Sequence, residues 1–227
     1  MNGFISRLYY RLLHHHYADD LGFALQLEAR KDAVAYVKAH MQSAMICDDR
    51  LALHQLALEH ASLQGLMLEF GVKRGATIRN IAALTAATVH GFDSFEGLPE
   101  DWAGTSMRKG KFSIRGALPK VPPNVVLHPG WFNETLPDFV RAQQGPVAFV
   151  HIDSDLYSSA QTIFETLGDW LIAGSVIVFD EYFNFPAWEQ HEFKAFQEFV
   201  AAHRVHYDYL GFTRKGGSVV VKITARA

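Results

Sequence analysis

Short, mainly apolar runs along the chain alternate with stretches in which apolar residues recur every three or four positions. The apolar runs predict strands covered on both faces, as in a parallel sheet, at residues 66–68, 86–92, 125–127, 146–152 and 175–179. The helical spacing predicts helices at residues 23–40, 50–63, 157–170 and 189–203. Residues 207–212 and 218–224, joined by a glycine-rich turn, predict a C-terminal hairpin. This order of elements indicates an α/β fold.

A glycine turn follows the first predicted strand and precedes a helix. Gly71 and Gly75 bracket the turn, and helical spacing begins at Thr77. Glycine lets the backbone approach a ligand closely, and the following helix presents free amide N–H groups to it. Asp93 ends the second predicted strand about twenty residues after the turn, where an acid can bind both ribose hydroxyls of a nucleoside. Together, the glycine turn and Asp93 predict a nucleotide-binding sheet. The turn alone fits a plain strand-to-helix connection equally well.

The composition narrows the class of protein. The chain has 227 residues, 49% of them hydrophobic and 20% charged, with a formal net charge of -3. Nothing in this balance indicates a nucleic-acid groove or a membrane surface, so we expect neither as a partner. Cys47 is the single cysteine, which excludes an internal disulfide. Because we find no apolar run suited to a signal peptide or a bilayer span, we expect a cytoplasmic protein.

The pattern divides the chain into two regions. Residues 1–64 are predicted to be helical and carry no nucleotide signature, so we expect a cap or oligomerisation segment there and a homo-oligomer. His14, His15 and His16 would point in different directions on a helix, which favours a solvated arm or a subunit contact over a metal site. Residues 65–227 form the predicted ligand-binding domain. Within it, residues 103–123 are irregular and predict either a lid or a surface loop.

Acidic residues stand just past the predicted strands: Glu69, Asp93, Asp153 and Asp180. The carboxyl ends of parallel strands lie along one edge of a sheet, where ligands bind, and crowded acids raise one another's pKa. Glu69 and Asp93 suit the amino and ribose groups of a nucleoside ligand. Asp153, Asp180 and Glu181 can hold a divalent ion with oxygen ligands, most simply magnesium. The alternative for Asp153 and Asp180 is capping of the helices that follow.

Two aromatic residues, Trp131 and Phe132, follow the third predicted strand. They are suited to flank a flat purine ring, and the alternative is that both belong to the core.

Five motifs occur in an order that resembles a known family. They are EFGVKRG at 69–75, GFDSFEGLP at 91–99, PGWF at 129–132, HIDSDLY at 151–157 and VFDEY at 178–182. Together they resemble the macrocin O-methyltransferase family of class I S-adenosylmethionine-dependent methyltransferases. The resemblance extends from Met45 to the C-terminus, and the GFDSFEGLP block is its most specific part.

The resemblance implies a doubly wound, seven-stranded, mostly parallel sheet whose last strand is antiparallel. It also implies a cofactor site formed by Met45, Ile46, Glu69, Phe70, Gly71, Val72, Lys73, Gly75, Asp93, Ser94, Phe95, Trp131 and Phe132. By position, residues 69–73 would surround the methionine part of S-adenosylmethionine and Asp93 would hold the ribose. Trp131 and Phe132 would lie near the adenine, and Asp153, Asp180 and Glu181 would bind magnesium.

The sequence departs from the family at two places. Glu181 stands where the family usually has a second aspartate, and one extra methylene moves the carboxylate away from the backbone. Residues 184–188 and 191–196 differ from the antibiotic-tailoring members. This region is expected to shape the acceptor pocket, so a sugar acceptor does not follow from the resemblance.

The resulting functional hypothesis is methyl transfer to a hydroxyl of a small natural product or sugar, with magnesium as an assisting ion. S-adenosylmethionine carries an activated methyl group, so the protein must align an acceptor oxygen with it and remove a proton. Asp153 is the predicted metal ligand and base, ahead of Asp155 and His151. The alternative is a nucleotide-binding protein without methyl transfer, either a dinucleotide oxidoreductase or a non-catalytic binder.

Overall fold

The fold was obtained as a computed structural model that describes residues 19–226. The predictions for His14, His15 and His16 lie outside this range. Within it, six α-helices accompany one mixed sheet. The helices are α1 (Leu21–His40), α2 (Arg50–His60), α3 (Ala76–Ala83), α4 (Phe132–Ala142), α5 (Tyr157–Leu167) and α6 (Glu192–His203). Short 3-10 helices occupy Gly168–Trp170 and Trp188–Gln190.

Eight strands form the sheet. They are β1 (Met45–Cys47), β2 (Leu66–Phe70), β3 (Val89–Asp93), β4 (Val125–Pro129), β5 (Val147–Ile152), β6 (Val176–Phe179), β7 (Val205–Thr213) and β8 (Val219–Arg226). Their order is β1-β7-β8-β6-β5-β2-β3-β4, and only β8 runs antiparallel to its neighbours β6 and β7. The predicted mostly parallel, doubly wound sheet with an antiparallel last strand is confirmed.

The strand count differs from the predicted seven because of β1. Its three residues pair in parallel with β7, from Gly211 to Thr213, at the edge of the sheet. The sequence suggested only a turn near Cys47, since three residues are too few to show an alternating pattern. The pairing depends on a partner about 165 residues away in sequence, which a local pattern cannot reveal.

Helices cover both faces of the sheet. One core cluster joins α1, α4, α5 and α6 to residues such as Phe70, Phe92 and Ile152. The other joins α2 and α3 to residues such as Phe149 and Val220. Every residue of β5 and β6 is buried, including His151, which explains why these strands read as mainly apolar runs without alternation.

The described part of the predicted N-terminal segment packs on the same sheet as the rest of the chain. β1 belongs to the sheet, and Leu53 and Ala57 of α2 are fully buried in its core. α1 packs through Ala29 and Ala33, and the hydroxyl of Tyr36 lies 2.6 Å from that of Tyr209 on β7. The domain boundary after residue 64 stays a prediction. None of the helices within residues 19–226 is long and apolar enough to cross a bilayer.

Candidate active site

The carboxyl ends of β2, β3, β5 and β6 meet at one edge of the sheet. From β2 the chain continues to β3 and β4 on one side, whereas β5 is followed by β6 on the other, so the crevice between β2 and β5 is the topological switch point. The amide of Asp153 donates to the carbonyl of Phe70 (2.8 Å), and the amide of Asp180 donates to that of Ile152 (2.9 Å). These bonds place the loops after the strands side by side.

The loop after β2 passes so close to the loop after β5 that only glycine fits. Gly71 has a φ of +92°, and a Cβ there would lie 1.8 Å from the carbonyl oxygen of Asp153. Lys73 and Gly75 also have positive φ, and Gly75 is the N-cap residue of α3. The predicted glycine turn is therefore required for β2 and β5 to end beside one another.

Asp93 joins the glycine turn to the loop after β3. One of its carboxylate oxygens accepts a hydrogen bond from the amide of Lys73, and the other accepts one from the amide of Phe95, both at 2.6 Å. The side chain is half-buried and faces the cavity described below. Each oxygen retains a second lone pair, so the carboxylate can still accept hydrogen bonds from a ligand.

Glu69 does not follow β2, as the sequence suggested, but lies within it. The strand continues to Phe70, and Glu69 pairs with Gly91 on β3 and with His151 on β5. Its carboxylate is fully buried, which raises its pKa, and one oxygen lies 3.5 Å from Nδ1 of His151, longer than an ordinary hydrogen bond. The buried acid interrupted the apolar run, which made the strand appear to end early.

A cavity of about 810 Å³ opens at this edge of the sheet. Its volume is that of a small-molecule or cofactor site. Nine of the residues predicted to bind the cofactor or the metal line it: Gly71, Lys73, Asp93, Ser94, Trp131, Phe132, Asp153, Asp180 and Glu181. The structure thus gathers into one space the residues predicted for the cofactor and those predicted for the metal.

Seven predicted cofactor residues do not line the cavity. Glu69, Phe70, Val72, Gly75 and Phe95 are buried beside it and support its walls. Met45 and Ile46 are 59% and 66% exposed on the edge strand β1, away from the switch point. The cofactor role of these seven positions stays a prediction.

Five carboxylates crowd the other end of the cavity. Burial, reinforced by Asp180, raises the pKa of Asp153 and of Glu181 well above their usual range. Burial and Asp180 raise the pKa of Asp155 to about 7, and burial raises that of Glu192 to about 8. Glu192, at the start of α6, accepts hydrogen bonds from the amides of Ser154 (2.9 Å) and Asp155 (3.2 Å). It thereby holds the loop that carries Asp153.

The arrangement of these acids offers two possible sets of ligands for a cation. Oxygen atoms of Asp153, Asp155 and Glu181 lie within 4.8 Å of one another, and so do ligand atoms of His151, Asp153 and Asp180. The first set is made of oxygen ligands alone, as magnesium prefers, and one buried oxygen of Glu181 has no hydrogen-bond partner. The residues therefore fit a hard cation.

Asp180 and Glu181 do not occur together in either set. Asp180 is instead held by protein groups, since one oxygen lies 2.9 Å from the guanidinium of Arg50 and the other accepts from the Ser218 hydroxyl at 3.1 Å. Asp155 stands in its place beside Glu181. The predicted magnesium set of Asp153, Asp180 and Glu181 stays a prediction, and the geometry adds Asp155 to it.

Sequence reasoning missed the residues that close the cavity from outside. Arg50 begins α2, shortly after β1, and gave no motif, yet its guanidinium reaches Asp180. Trp102, Met107 and Phe112 come from the long segment after β3, and Nζ of Lys73 lies 4.1 Å from the centre of the Phe112 ring. The aromatic residues in this segment were the available signal. Part of the segment therefore lines the cavity, and its role as a lid stays a prediction.

Comparison with known proteins identifies a family model and solved structures that the chain resembles. A family model described as a methyltransferase domain matches residues 68–182, just over half of the chain. No curated protein sequence matches. The calicheamicin methyltransferase CalS11 shares the fold at a TM-score of 0.64, with 22% identity over 76% of this chain and 78% of that chain. The O-methyltransferase NovP gives 0.61, with 23% identity over 77% and 79%.

A third solved structure covers more of the chain. An O-methyltransferase from Bacillus cereus, in complex with S-adenosylhomocysteine, has a TM-score of 0.52 and 17% identity over 94% of this chain and 97% of that chain. At these identities the likeness shows the shared fold, and the macrocin branch suggested by the motifs stays a prediction. Because the family model covers more than half of the sequence, the chain belongs to the methyltransferase-domain family of class I S-adenosylmethionine-dependent enzymes.

Proposed function

We propose that the protein transfers a methyl group from S-adenosylmethionine to a hydroxyl oxygen of a small molecule. The observation that carries this proposal is the single cavity in which Asp93, Trp131 and Phe132 face the same space as the acids around Asp153. A ligand bound at the first group would extend toward the second, where a proton can be removed. The names of NovP and the Bacillus cereus protein favour oxygen as the acceptor atom.

The end near Asp93 supports binding of the nucleoside. Ribose hydroxyls can donate to the free lone pairs of its carboxylate, and the bonds from Lys73 and Phe95 already fix its orientation. Trp131 and Phe132 border the same space with half-buried rings that can flank a purine. S-adenosylmethionine, when bound, supplies an already activated methyl group.

The acidic end supports proton removal. Asp153 has its pKa raised by burial and by Asp180, so its carboxylate is a stronger base than an exposed aspartate. Asp153, Asp155 and Glu181 would hold magnesium, which when bound supplies positive charge that stabilises a developing alkoxide. Glu192 keeps the backbone of this loop in place, so that Asp153 faces the cavity.

The remaining walls of the cavity leave room for the acceptor. Trp102, Met107 and Phe185 are apolar, and Arg50 adds a cationic group beside Asp180. Such a wall suits a small molecule with an apolar part. Natural products with or without an attached sugar have such a part. The acceptor must place its hydroxyl near Asp153.

Calorimetry with S-adenosylhomocysteine tests the cofactor part of the proposal. We expect binding by the wild type and a loss of at least about tenfold in affinity in Asp93→Ala. Asp138→Ala is the matched control, since Asp138 is exposed on α4 and remote from the cavity lining. Binding of NAD in place of S-adenosylhomocysteine would instead support the dinucleotide alternative.

Transfer of labelled methyl groups to a panel of hydroxyl compounds tests the chemistry. Asp153→Asn should lower turnover by about a hundredfold or more while S-adenosylhomocysteine still binds. Turnover that is unchanged by a chelator would contradict the role of magnesium. Turnover that survives in Asp153→Asn would show that another group removes the proton.

Three further expectations belong to this proposal. We propose that the protein is cytoplasmic, that it forms a homo-oligomer through its N-terminal segment, and that neither a nucleic acid nor a membrane is a partner. The net charge of -3 supports the last of these.

A further inference from the structure

A second, open groove of about 620 Å³ lies behind the glycine turn. One wall is formed by Arg74 and by Arg79 on the first turns of α3. The other wall is formed by residues of the segment after β3 between 113 and 120, among them Arg115 and Lys120. Neighbouring residues in sequence separate the two sites, since Lys73 and Phe112 line the candidate active site whereas Arg74 and Ser113 line the groove. The groove is thus a distinct site that shares its walls with the first.

The groove is lined by positive charges that no acidic side chain in the described part of the chain neutralises. It contains four cationic side chains, and no aspartate or glutamate is among the described residues that line it. None of the four forms an ion pair within residues 19–226, whereas Arg108, Arg141 and Arg214 each pair with an aspartate. In a chain with a net charge of -3, an unpaired cluster of this kind points to an anionic ligand.

The two walls are held together by specific contacts. Nη1 of Arg79 donates to the carbonyl of Arg74 (3.0 Å) and to that of Lys120 (3.2 Å), although Lys120 is 41 residues away in sequence. A Cβ at Gly75 would lie 3.3 Å from Pro119, which shows how closely the segment after β3 packs on the turn. Arg115 has a φ of +58°, a conformation that non-glycine residues rarely adopt. The cations therefore converge from two segments that the fold fixes side by side.

We propose that this groove binds a ligand that carries two or more linked phosphate groups. Guanidinium groups bind phosphate oxygens in a bidentate manner, and four cations match the charge of an oligophosphate better than that of a single carboxylate. Ile114 and the 55% exposed Leu118 offer an apolar surface to an organic part of the ligand. The charge is confined to this short groove in an acidic chain, which favours a small ligand over a nucleic acid.

Calorimetry with sodium tripolyphosphate at low ionic strength tests the proposal. We expect one binding site per chain and an affinity that falls with added salt. Arg115→Ala/Lys120→Ala should weaken binding by at least about tenfold. Arg74→Ala, which changes the opposite wall of the groove, should also weaken binding. Arg30→Ala/Lys38→Ala, which removes the same charge from the exposed surface of α1, should change the affinity by less than about twofold.

Two further probes identify the source of the phosphate. The first probe is a nucleoside triphosphate, and only the part of its binding that is lost in Arg115→Ala/Lys120→Ala is assigned to the groove. This part should be at least as tight as the binding of tripolyphosphate. Absence of tripolyphosphate binding, equal binding by the groove variant, or equal loss in the α1 control would overturn the proposal. Tighter binding of a single-stranded oligonucleotide than of either probe would also overturn it. Because no step needs S-adenosylmethionine, failure here leaves the proposed methyl transfer untouched.

Discussion

Asp180 illustrates how one residue depends on a partner that no motif predicted. Its buried carboxylate is held by the guanidinium of Arg50 and the hydroxyl of Ser218. Removing the guanidinium leaves a buried charge with only one neutral donor, which is costly. Arg50→Ala should therefore lower the free energy of unfolding by about 1–3 kcal/mol in chemical denaturation.

The control for Arg50 is Arg214→Ala. Arg214 pairs with Asp48 at 3.1 Å, but both side chains are exposed, so we expect a loss below about 1 kcal/mol. Equal losses of unfolding free energy in the two variants would show that the burial of Asp180 does not make its ion pair more stabilising than an exposed one. If Asp180 is a magnesium ligand, as predicted from the sequence, excess magnesium should restore part of the loss in Arg50→Ala.

Glu192 gives the stability a pH dependence. Burial raises its pKa from 4.5 to about 8, so the folded state holds a proton that the unfolded state has released. The free energy of unfolding should consequently fall as the pH rises from about 4.5 through about 8. Glu192→Gln keeps an oxygen that can accept from the amides of Ser154 and Asp155 but cannot ionise.

Thermal unfolding across a range of pH checks this prediction. Relative to the wild type, Glu192→Gln should gain about 5 kcal/mol above pH 8, because each unit of the pKa shift corresponds to about 1.4 kcal/mol. The gain should shrink toward pH 5. A difference that does not vary with pH would contradict the raised pKa, since a purely steric effect of the substitution would be constant.

At the scale of elements, the glycine turn decides whether β2 and β5 can end side by side. Gly71→Ala would place a Cβ 1.8 Å from the carbonyl oxygen of Asp153, in addition to the strain of a φ of +92°. Gly145→Ala is the matched control, since its φ is +99° and its Cβ would meet nothing within 4 Å. The control should lose about 1–2 kcal/mol from strain alone.

Gly71→Ala should lose about 1–3 kcal/mol more than this control in urea denaturation, because the two loops must separate. Similar losses in the two variants would mean that the backbone conformation, and not the close approach, requires glycine at position 71.

At the scale of the whole molecule, apolar residues remain exposed on α1 and β1, which both border β7. Leu25 on α1 and Ile46 on β1 are 57% and 66% exposed, and the predicted homo-oligomer would cover them. Sedimentation should show a dimer or larger species for the wild type and a monomer for Leu25→Glu/Ile46→Glu. Val126→Glu, which changes a 42% exposed residue on the opposite edge strand β4, should leave the assembly intact. A monomeric wild type would contradict the prediction.

The sequence predicted the acidic residues at the strand ends better than it predicted the residues that contact them. Asp153 and Asp180 follow strands that are mainly apolar and do not alternate, so the ends of β5 and β6 were visible. The end of β2 was misplaced because Glu69 is a buried acid within the strand. Arg50 and Glu192 joined the acidic site only after folding, since they begin two separate helices that share no motif with it. Asp155, in contrast, lies in the same motif as Asp153.

The sequence alone determined the fold class and the residues that border the switch point. Hydrophobic periodicity is local and is imposed by burial, so it survives in the sequence wherever a strand is covered on both faces. Only the tertiary structure decided the eighth strand, the ion pair on Asp180, the division of the acids into two sets and the basic groove. Each of these features depends on contacts between residues that are far apart in the chain. Such contacts are set by tertiary packing, so they produce no periodic pattern in the sequence.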